Sequence, residues 1–284
     1  MLRNKMLPKF LVYFLVLYAY GSLYILVQLN FPVEKALFLC SISFLFICLL
    51  LEILFPFRKD WLFYKDKQSW NDIFLYLFNT LVIVKANSLL QLIKMKLNIH
   101  FSIWPAEIPF IFQVLLAFLV FDFFYYLFHR LSHTLYFLWM FHAVHHSSNT
   151  MHLLKSNRSN LFLDAVPYLF LTIFPLAFLS PPKEVVVIMG YTLGIFSFLT
   201  HCNIKLDFPV WWEYFFVSPK IHYMHHLKTP ENLIGYNFST VTLFWDKLFG
   251  TYRHYHQPEN MEVGIEKNPV HASVFWQIFY PFKR

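Results

Sequence analysis

Eight of the fourteen histidines in this 284-residue chain fall in three compact clusters. The first is His129-Arg-Leu-Ser-His133, the second His142-Ala-Val-His145-His146 and the third His222-Tyr-Met-His225-His226. Spacings of three and four put side chains on one side of a helix, so each cluster can present two or three imidazoles toward a common point. HxxxH alone arises often by chance, but two copies of HxxHH with one HxxxH inside about a hundred residues do not. Such dense imidazole is costly to crowd together as cations, and a metal relieves that cost by taking neutral nitrogen ligands. Structural zinc is satisfied by four ligands and usually recruits cysteine. Eight clustered histidines without thiols exceed one tetrahedral ion and suit two adjacent metals. Imidazole accepts zinc, copper, iron or nickel alike, so spacing leaves the metal open.

The elements that must position these clusters are apolar. The chain is 58% hydrophobic and 14% charged, with 36 phenylalanines, against about 45–50% apolar and about 25% charged in soluble domains. Net charge is +7. The basic residues fall between and after apolar segments, as in cytoplasmic loops, and form no compact patch of the kind nucleic acid requires. Cys40, Cys48 and Cys202 make no CxxC pair and no disulfide framework. Two glycosylation sequons, at Asn157 and Asn237, carry no meaning if they face the cytoplasm as expected below.

A helix needs about 20 mostly apolar residues to cross a bilayer. The first span runs from about Phe10 to Leu29, after Arg3, Lys5 and Lys9, and has no cleavage site behind it. The second runs from about Ala36 to Phe55 and ends in Arg58, Lys59, Lys65 and Lys67. Both outer ends of this hairpin therefore face the cytoplasm. The third segment, about Asp72–Ile93, carries Lys85 with Asn79 and Asn87 at its middle; it crosses, tilts or is re-entrant. The fourth, about Phe110–Phe128, is apolar apart from Asp122 and leads into the first histidine cluster. A hairpin of Leu161–Leu179 and Glu184–Leu199 follows, turned by Pro181-Pro182 and kinked by Pro167 and Pro175. From His201 onward the chain is aromatic-rich without a span. The expectation is an all-α integral membrane protein of 4–6 transmembrane or re-entrant helices with a cytoplasmic, histidine-rich metal-binding cap. We expect one domain over 1–284: membrane spans in 1–109, a catalytic region in 110–252 and a tail in 253–284. Sidedness rests on the third segment.

HxxxH, HxxHH and HxxHH, the last two separated by a hydrophobic hairpin, resemble the fatty acid hydroxylase and sterol desaturase superfamily. Further residues carry the resemblance. Phe121-Asp122 through Tyr126 to His129-Arg130 is similar to the approach to the first histidine box, and Leu138-Trp139-Met140-Phe141-His142 to that of the second. His201-Cys202-Asn203 resembles the extra histidine before the third box, and Trp245-Asp246-Lys247-Leu248-Phe249-Gly250-Thr251 the signature after it. The match covers about Phe110–Tyr252.

The resemblance implies two iron ions, O2 as cosubstrate and two electrons, used to hydroxylate or desaturate an unactivated C–H bond of a lipid such as a sterol or fatty acyl chain. It implies His129, His133, His142, His145, His146, His222, His225 and His226 as metal ligands, with His201 rather than His152 as the ninth. Asp122 and Tyr126 share a helical stripe with His129 and His133 and are the candidate catalytic residues. Asp122 either orients a ligand imidazole or bonds a neighbouring segment. His100, His254, His256 and His271 lack cluster spacing and read as surface residues, and Asp246 with Gly250 also reads as a structural turn. No haem segment, ferredoxin cysteines or Rossmann glycines are present, so electrons come from a separate donor protein, cytochrome b5-like or ferredoxin-like. The expected location is the bacterial inner membrane or the endoplasmic reticulum. The competing reading is a membrane zinc-dependent hydrolase of a lipid or acyl substrate, which needs a general base beside the ligands; none sits inside the boxes. A metal transporter would carry ligands midway along spans, whereas these cluster at span ends.

Overall fold

In hydrocarbon every backbone N–H and C=O must be paired within its own segment, so long apolar runs become helices. The computed structural model describes residues 3–96, 103–160, 175–176, 178–228, 235–254, 261–280 and 282. Its long helices are α1 (Arg3–Gln28), α2 (Val33–Leu54), α3 (Ser69–Lys96), α4 (Phe110–Thr134) and α6 (Lys183–His201). The shorter α5 (Tyr136–His146), α7 (Trp212–Phe215), α8 (Pro219–His225), α9 (Phe244–Leu248) and α10 (Val274–Phe279) lie between or after them. No strand occurs among the described residues, only three isolated bridges.

Four of these helices, α1 from Met6, α2, α4 and α6, are long and apolar enough to cross a membrane. The chain is a multi-pass membrane protein. α3 is long but does not meet that standard, because Asn79, Lys85 and four further lysine or asparagine residues lower the hydropathy of its sequence. Of the expected arm Leu161–Leu179, the residues up to 174, Pro167 among them, lie outside the described residues.

α1 and α2 form a hairpin turned at Asn30, whose φ of +57° is the left-handed conformation that asparagine tolerates at a helix end. Ala19, Ala36 and Cys40 are fully or almost fully buried in it, small side chains that let helix backbones approach closely. α6 packs against this pair through Tyr191, whose hydroxyl donates to the Ala19 carbonyl at 2.7 Å, and through Phe198 stacked on Phe44. Leu17, Phe38, Phe46 and Ile111 face outward, as side chains in contact with lipid do.

One layer collects the functional ends of the helices. Glu52 near the end of α2 accepts the backbone N–H groups of Leu153 and Asn203, both at 2.7–2.8 Å. Asp72 in the first turn of α3 meets Lys155 and Arg158. α4 and α6 finish there with His133 and His201. The opposite ends of α2 and α6 are joined by Lys183 and Glu34 at 2.9 Å. The C-terminal segment closes the cap: Gly264, with φ +110° and no room for a Cβ against Asn149 and Ser148, donates its N–H to the His226 carbonyl.

Candidate metal centre

The nine candidate ligands converge. His129 and His133 leave the last turns of α4, and α5 begins two residues after α4 ends and carries His142, His145 and His146 back over it. α6 delivers His201 as its last residue, and α8, started by Pro219 at its first turn, carries His222 and His225 and is followed by His226. They form two groups: His129, His133, His142, His146 and His225, and separately His145, His201, His222 and His226. Within each group the ligand atoms lie within 4.8 Å of one another. The groups adjoin, with His146 of the first stacked on His226 of the second at 4.3 Å between centroids.

Helix geometry explains this partition. At about 100° per residue, positions i and i+4 differ by about 40°, whereas i+3 and i+4 differ by about 100°. The outer histidines of each HxxHH box therefore share a target and the middle one looks elsewhere. His142 and His146 serve the group of five while His145 serves the group of four; His222 and His226 serve the group of four while His225 crosses to the five.

Four of the rings are fixed through Nδ1. His129 Nδ1 bonds the Phe238 carbonyl at 2.7 Å, His145 that of Arg158 at 3.0 Å, His201 that of Ser197 at 2.9 Å and His225 that of Tyr236 at 3.1 Å. A ring that donates its Nδ1 proton to a carbonyl keeps an Nε2 lone pair for a metal. Nε2 atoms meet within each group: His129 Nε2 is 3.1 Å from His142 Nε2, His201 Nε2 is 3.0 Å from His222 Nε2, and His226 Nε2 is 3.1 Å from the same atom. Such separations match neighbouring ligands at right angles on one ion, for nitrogen–metal distances of about 2.1 Å. His133 Nδ1 and Nε2, His146 Nε2 and His225 Nε2 are buried without a hydrogen-bond partner, an arrangement protein interiors avoid. Burial, reinforced by neighbouring imidazoles, holds His145, His146, His222 and His226 well below the ordinary histidine range, and burial brings His225 down to about 3. Convergent ring nitrogens, orphaned in the group of five and crowded Nε2 to Nε2 in the group of four, fit a metal ion in each group.

Other expected residues lie elsewhere. Asp122 is fully buried, and its Oδ2 accepts the backbone N–H of Thr242 at 2.7 Å, so it grips a neighbouring segment and reaches no imidazole. Tyr126 shares a hydrogen bond with Thr251 at 3.0 Å and accepts one from Arg130 at 3.1 Å. His152 stands apart from both histidine groups, 3.2 Å from Asp66. His254 pairs with Glu213, His271 is exposed, and His100 and His256 lie outside the described residues. Asn237 is buried, which removes its sequon from any modifying enzyme in the folded chain, and the three cysteines are buried and free.

Three structural contributors escaped the reading of the sequence. Glu52 ties the segment after His152 to the one after His201. Arg158 holds the Val144 carbonyl, Ser147 and Asp72 while its own carbonyl receives His145. Asp72 is fully buried between Lys155 and Arg158. Glu52 had a signal: an acidic residue inside an apolar span marks a constrained site.

A cavity of about 460 Å³ adjoins both groups, touching His129 and His142 of the first and His145, His201 and His222 of the second. Its wall continues over Tyr76 and Ile83 of α3, Phe121 of α4, and Gly190 and Gly194 of α6. Gly190 lies eleven residues before His201, about 16 Å along the helix axis, so the cavity runs from the histidines down among the spans. No Asp or Glu occurs in its described lining.

A family model described as fatty acid hydroxylase matches residues 114–251. The chain is 30% identical over 245 residues to the ornithine lipid hydroxylase OlsE of Rhizobium tropici, covering 83% of this chain and 72% of that protein. It is 32% identical to the alkylglycerol monooxygenase of Danio rerio over 173 residues, 59% of this chain and 36% of that one. The human alkylglycerol monooxygenase is 32% identical over 137 residues, 48% of this chain and 29% of that protein. The chain thus spans about a third of the length of the alkylglycerol monooxygenases it matches. No solved structure matches it.

Proposed function

This chain belongs to the fatty acid hydroxylase family, and from that premise we propose that it hydroxylates an unactivated C–H bond of a membrane lipid at a pair of iron ions held by its nine clustered histidines. The overall change is R–H + O2 + 2e⁻ + 2H⁺ → R–OH + H2O. The observation that carries the reading is the cavity, which touches histidines of both groups and extends among the spans. An apolar chain lying in it has its reacting carbon beside both metal positions. Iron bound there supplies redox cycling and open positions for oxygen, chemistry that zinc lacks. The chain's own contribution is to hold nine imidazoles in place, to line the approach with apolar side chains and to keep water from the reacting carbon.

Hydroxylation is favoured over desaturation because the relatives from Rhizobium tropici and Danio rerio are named as a lipid hydroxylase and a monooxygenase. The absence of a carboxylate from the described cavity wall disfavours a zinc hydrolase, which needs a general base. The cap carries Arg58, Lys59, Lys65 and Lys67 at its rim, and by the positive-inside tendency we assign it to the cytoplasm, where a separate electron-donor protein would reach it.

The test is lipid mass spectrometry of host cells with and without the chain, combined with metal analysis of purified protein. A lipid species heavier by one oxygen, dependent on O2 and iron, is expected. Activity restored by zinc without O2 would sink the oxygenase reading. His145→Ala should leave membrane insertion intact and lower turnover at least about 100-fold, since disturbing even the residues around metal ligands costs 10–100-fold; undiminished activity would remove His145 from the ligand set.

A further inference from the structure

Resting on the two-ion reading above, we infer that Asp246 is a positioning residue for the five-histidine metal position alone, acting through the backbone of residues 236–239. This short irregular stretch supplies two of the four carbonyls that receive ligand Nδ1–H groups. Tyr236 receives His225 at 3.1 Å and Phe238 receives His129 at 2.7 Å. Both histidines belong to the group of five. The group of four takes its carbonyls from Arg158 and Ser197 instead.

A stretch without helix or strand partners needs another means of holding its carbonyls still. Asp246 provides it. Fully buried in α9, its Oδ1 accepts the Phe238 N–H at 2.9 Å and the Thr251 hydroxyl at 2.7 Å, and its Oδ2 accepts the Ser239 N–H at 2.8 Å. Asn237, between the two residues whose carbonyls accept, holds a φ of +58° and is pinned by its side chain to the Ile221 and Arg253 carbonyls and by its N–H to the Thr251 carbonyl. Tyr126 in α4 completes the brace through Thr251. The chain of contact runs from Asp246 to the peptide of Phe238 and from its carbonyl to His129. A carboxyl side chain suits this place because both its oxygens accept and all three of its partners donate. An asparagine there would turn an NH2 toward a backbone N–H or a hydroxyl.

The test is anaerobic titration of the metal-stripped full chain in lipid nanodiscs with ferrous iron, read by calorimetry and by metal content after desalting. The wild type should take up two ions. Asp246→Asn should keep one at the wild-type affinity and bind the other about 10–100-fold more weakly, the cost of losing a partner behind a ligand. Adding His201→Ala to Asp246→Asn should remove the surviving ion, while adding His225→Ala should spare it. Thr251→Val should weaken the same single ion to a smaller degree, and Thr251→Ser should restore it; this pair decides the matter if Asp246→Asn does not accumulate. Equal weakening of both ions, or no weakening of either, would overturn the assignment. A wild-type chain that binds a single ion defeats the two-ion reading itself, a result distinguishable from either of those.

Discussion

A buried imidazole whose Nδ1–H is held by a carbonyl has one lone pair to give, and this cap fixes two such rings around each of two points. That arrangement has a consequence for stability. His145, His146, His222 and His226 are held well below the ordinary histidine range by burial, and His225 falls to about 3, whereas in the unfolded chain they titrate near about 6.5. Above that pH both states carry neutral rings and the difference vanishes. As the pH falls from about 6.5 toward 3, the unfolded chain takes up protons that the folded chain refuses, and stability falls by up to about 1.4 kcal/mol per pH unit for each such histidine. The thermal midpoint of the metal-stripped chain should therefore be flat above pH 7 and fall steadily between pH 6.5 and 5. A midpoint that rises on acidification would show that these rings are already protonated in the folded state. The residue types and their clustering were legible in the sequence, His201 included. Their division into five and four was not read there, although the 40° and 100° offsets within HxxHH contain it. The carbonyl partners, Phe238, Tyr236, Arg158 and Ser197, leave no mark in a sequence because any residue supplies a carbonyl.

At the scale of elements, the histidine-bearing helices are held by charge as well as by apolar packing. Asp72 at the start of α3 is buried between Arg158, at 2.5 Å, and Lys155, at 2.6 Å. Arg158 in turn holds the end of α5 through the Val144 carbonyl and Ser147. Lys155 retains Asp66 as a second partner, but Asp72 is the sole acidic partner of Arg158 among the described residues. Asp72→Asn leaves the guanidinium buried with its charge uncompensated, which costs about 3–5 kcal/mol. We expect a fall in the detergent or thermal unfolding midpoint accompanied by weaker metal binding at the group of four, since Arg158 also supplies the carbonyl for His145. An unchanged midpoint would mean that water or Asp66, already beside Lys155, compensates the guanidinium charge. α3 shows why the elements were only partly legible. Its polar residues argue against a span when each is priced alone, yet Asn79 bonds Asn157 and Ser159 and its first turn lies in the cap. α2 and α4 both end in that cap, so the chain between them has to leave it and return. α3 is about 42 Å long, the described element that can make the outward journey. Hydropathy of a single segment cannot register partners supplied eighty residues away.

Across the whole molecule, the spans position the cap and also give the cavity its depth. Gly190 and Gly194 lie one turn apart on α6 in the cavity wall, and a Cβ at either would meet no described atom within 4 Å. Glycine inside a helix costs about 1 kcal/mol relative to alanine, so two open glycines one turn apart in α6 lower its stability and gain nothing in local packing. What they leave is room for an apolar chain beside Phe121 and Tyr76, leading to the histidines. The two effects can be separated. Gly194→Ala should raise the thermal midpoint by the equivalent of up to about 1 kcal/mol with little loss of turnover. Gly194→Leu should keep part of that gain, because its side chain enters empty space, yet lower turnover on long-chain lipid several-fold, with smaller or shorter-chain lipids affected less. Metal content should stay at the wild-type level in both variants, since the substituted position lies seven residues from His201, about 10 Å along the helix. Turnover by Gly194→Leu equal to wild type would show that the reacting lipid approaches the histidines by another route, whereas loss of metal together with activity would show that α6 had shifted and the cavity had not been tested by filling it.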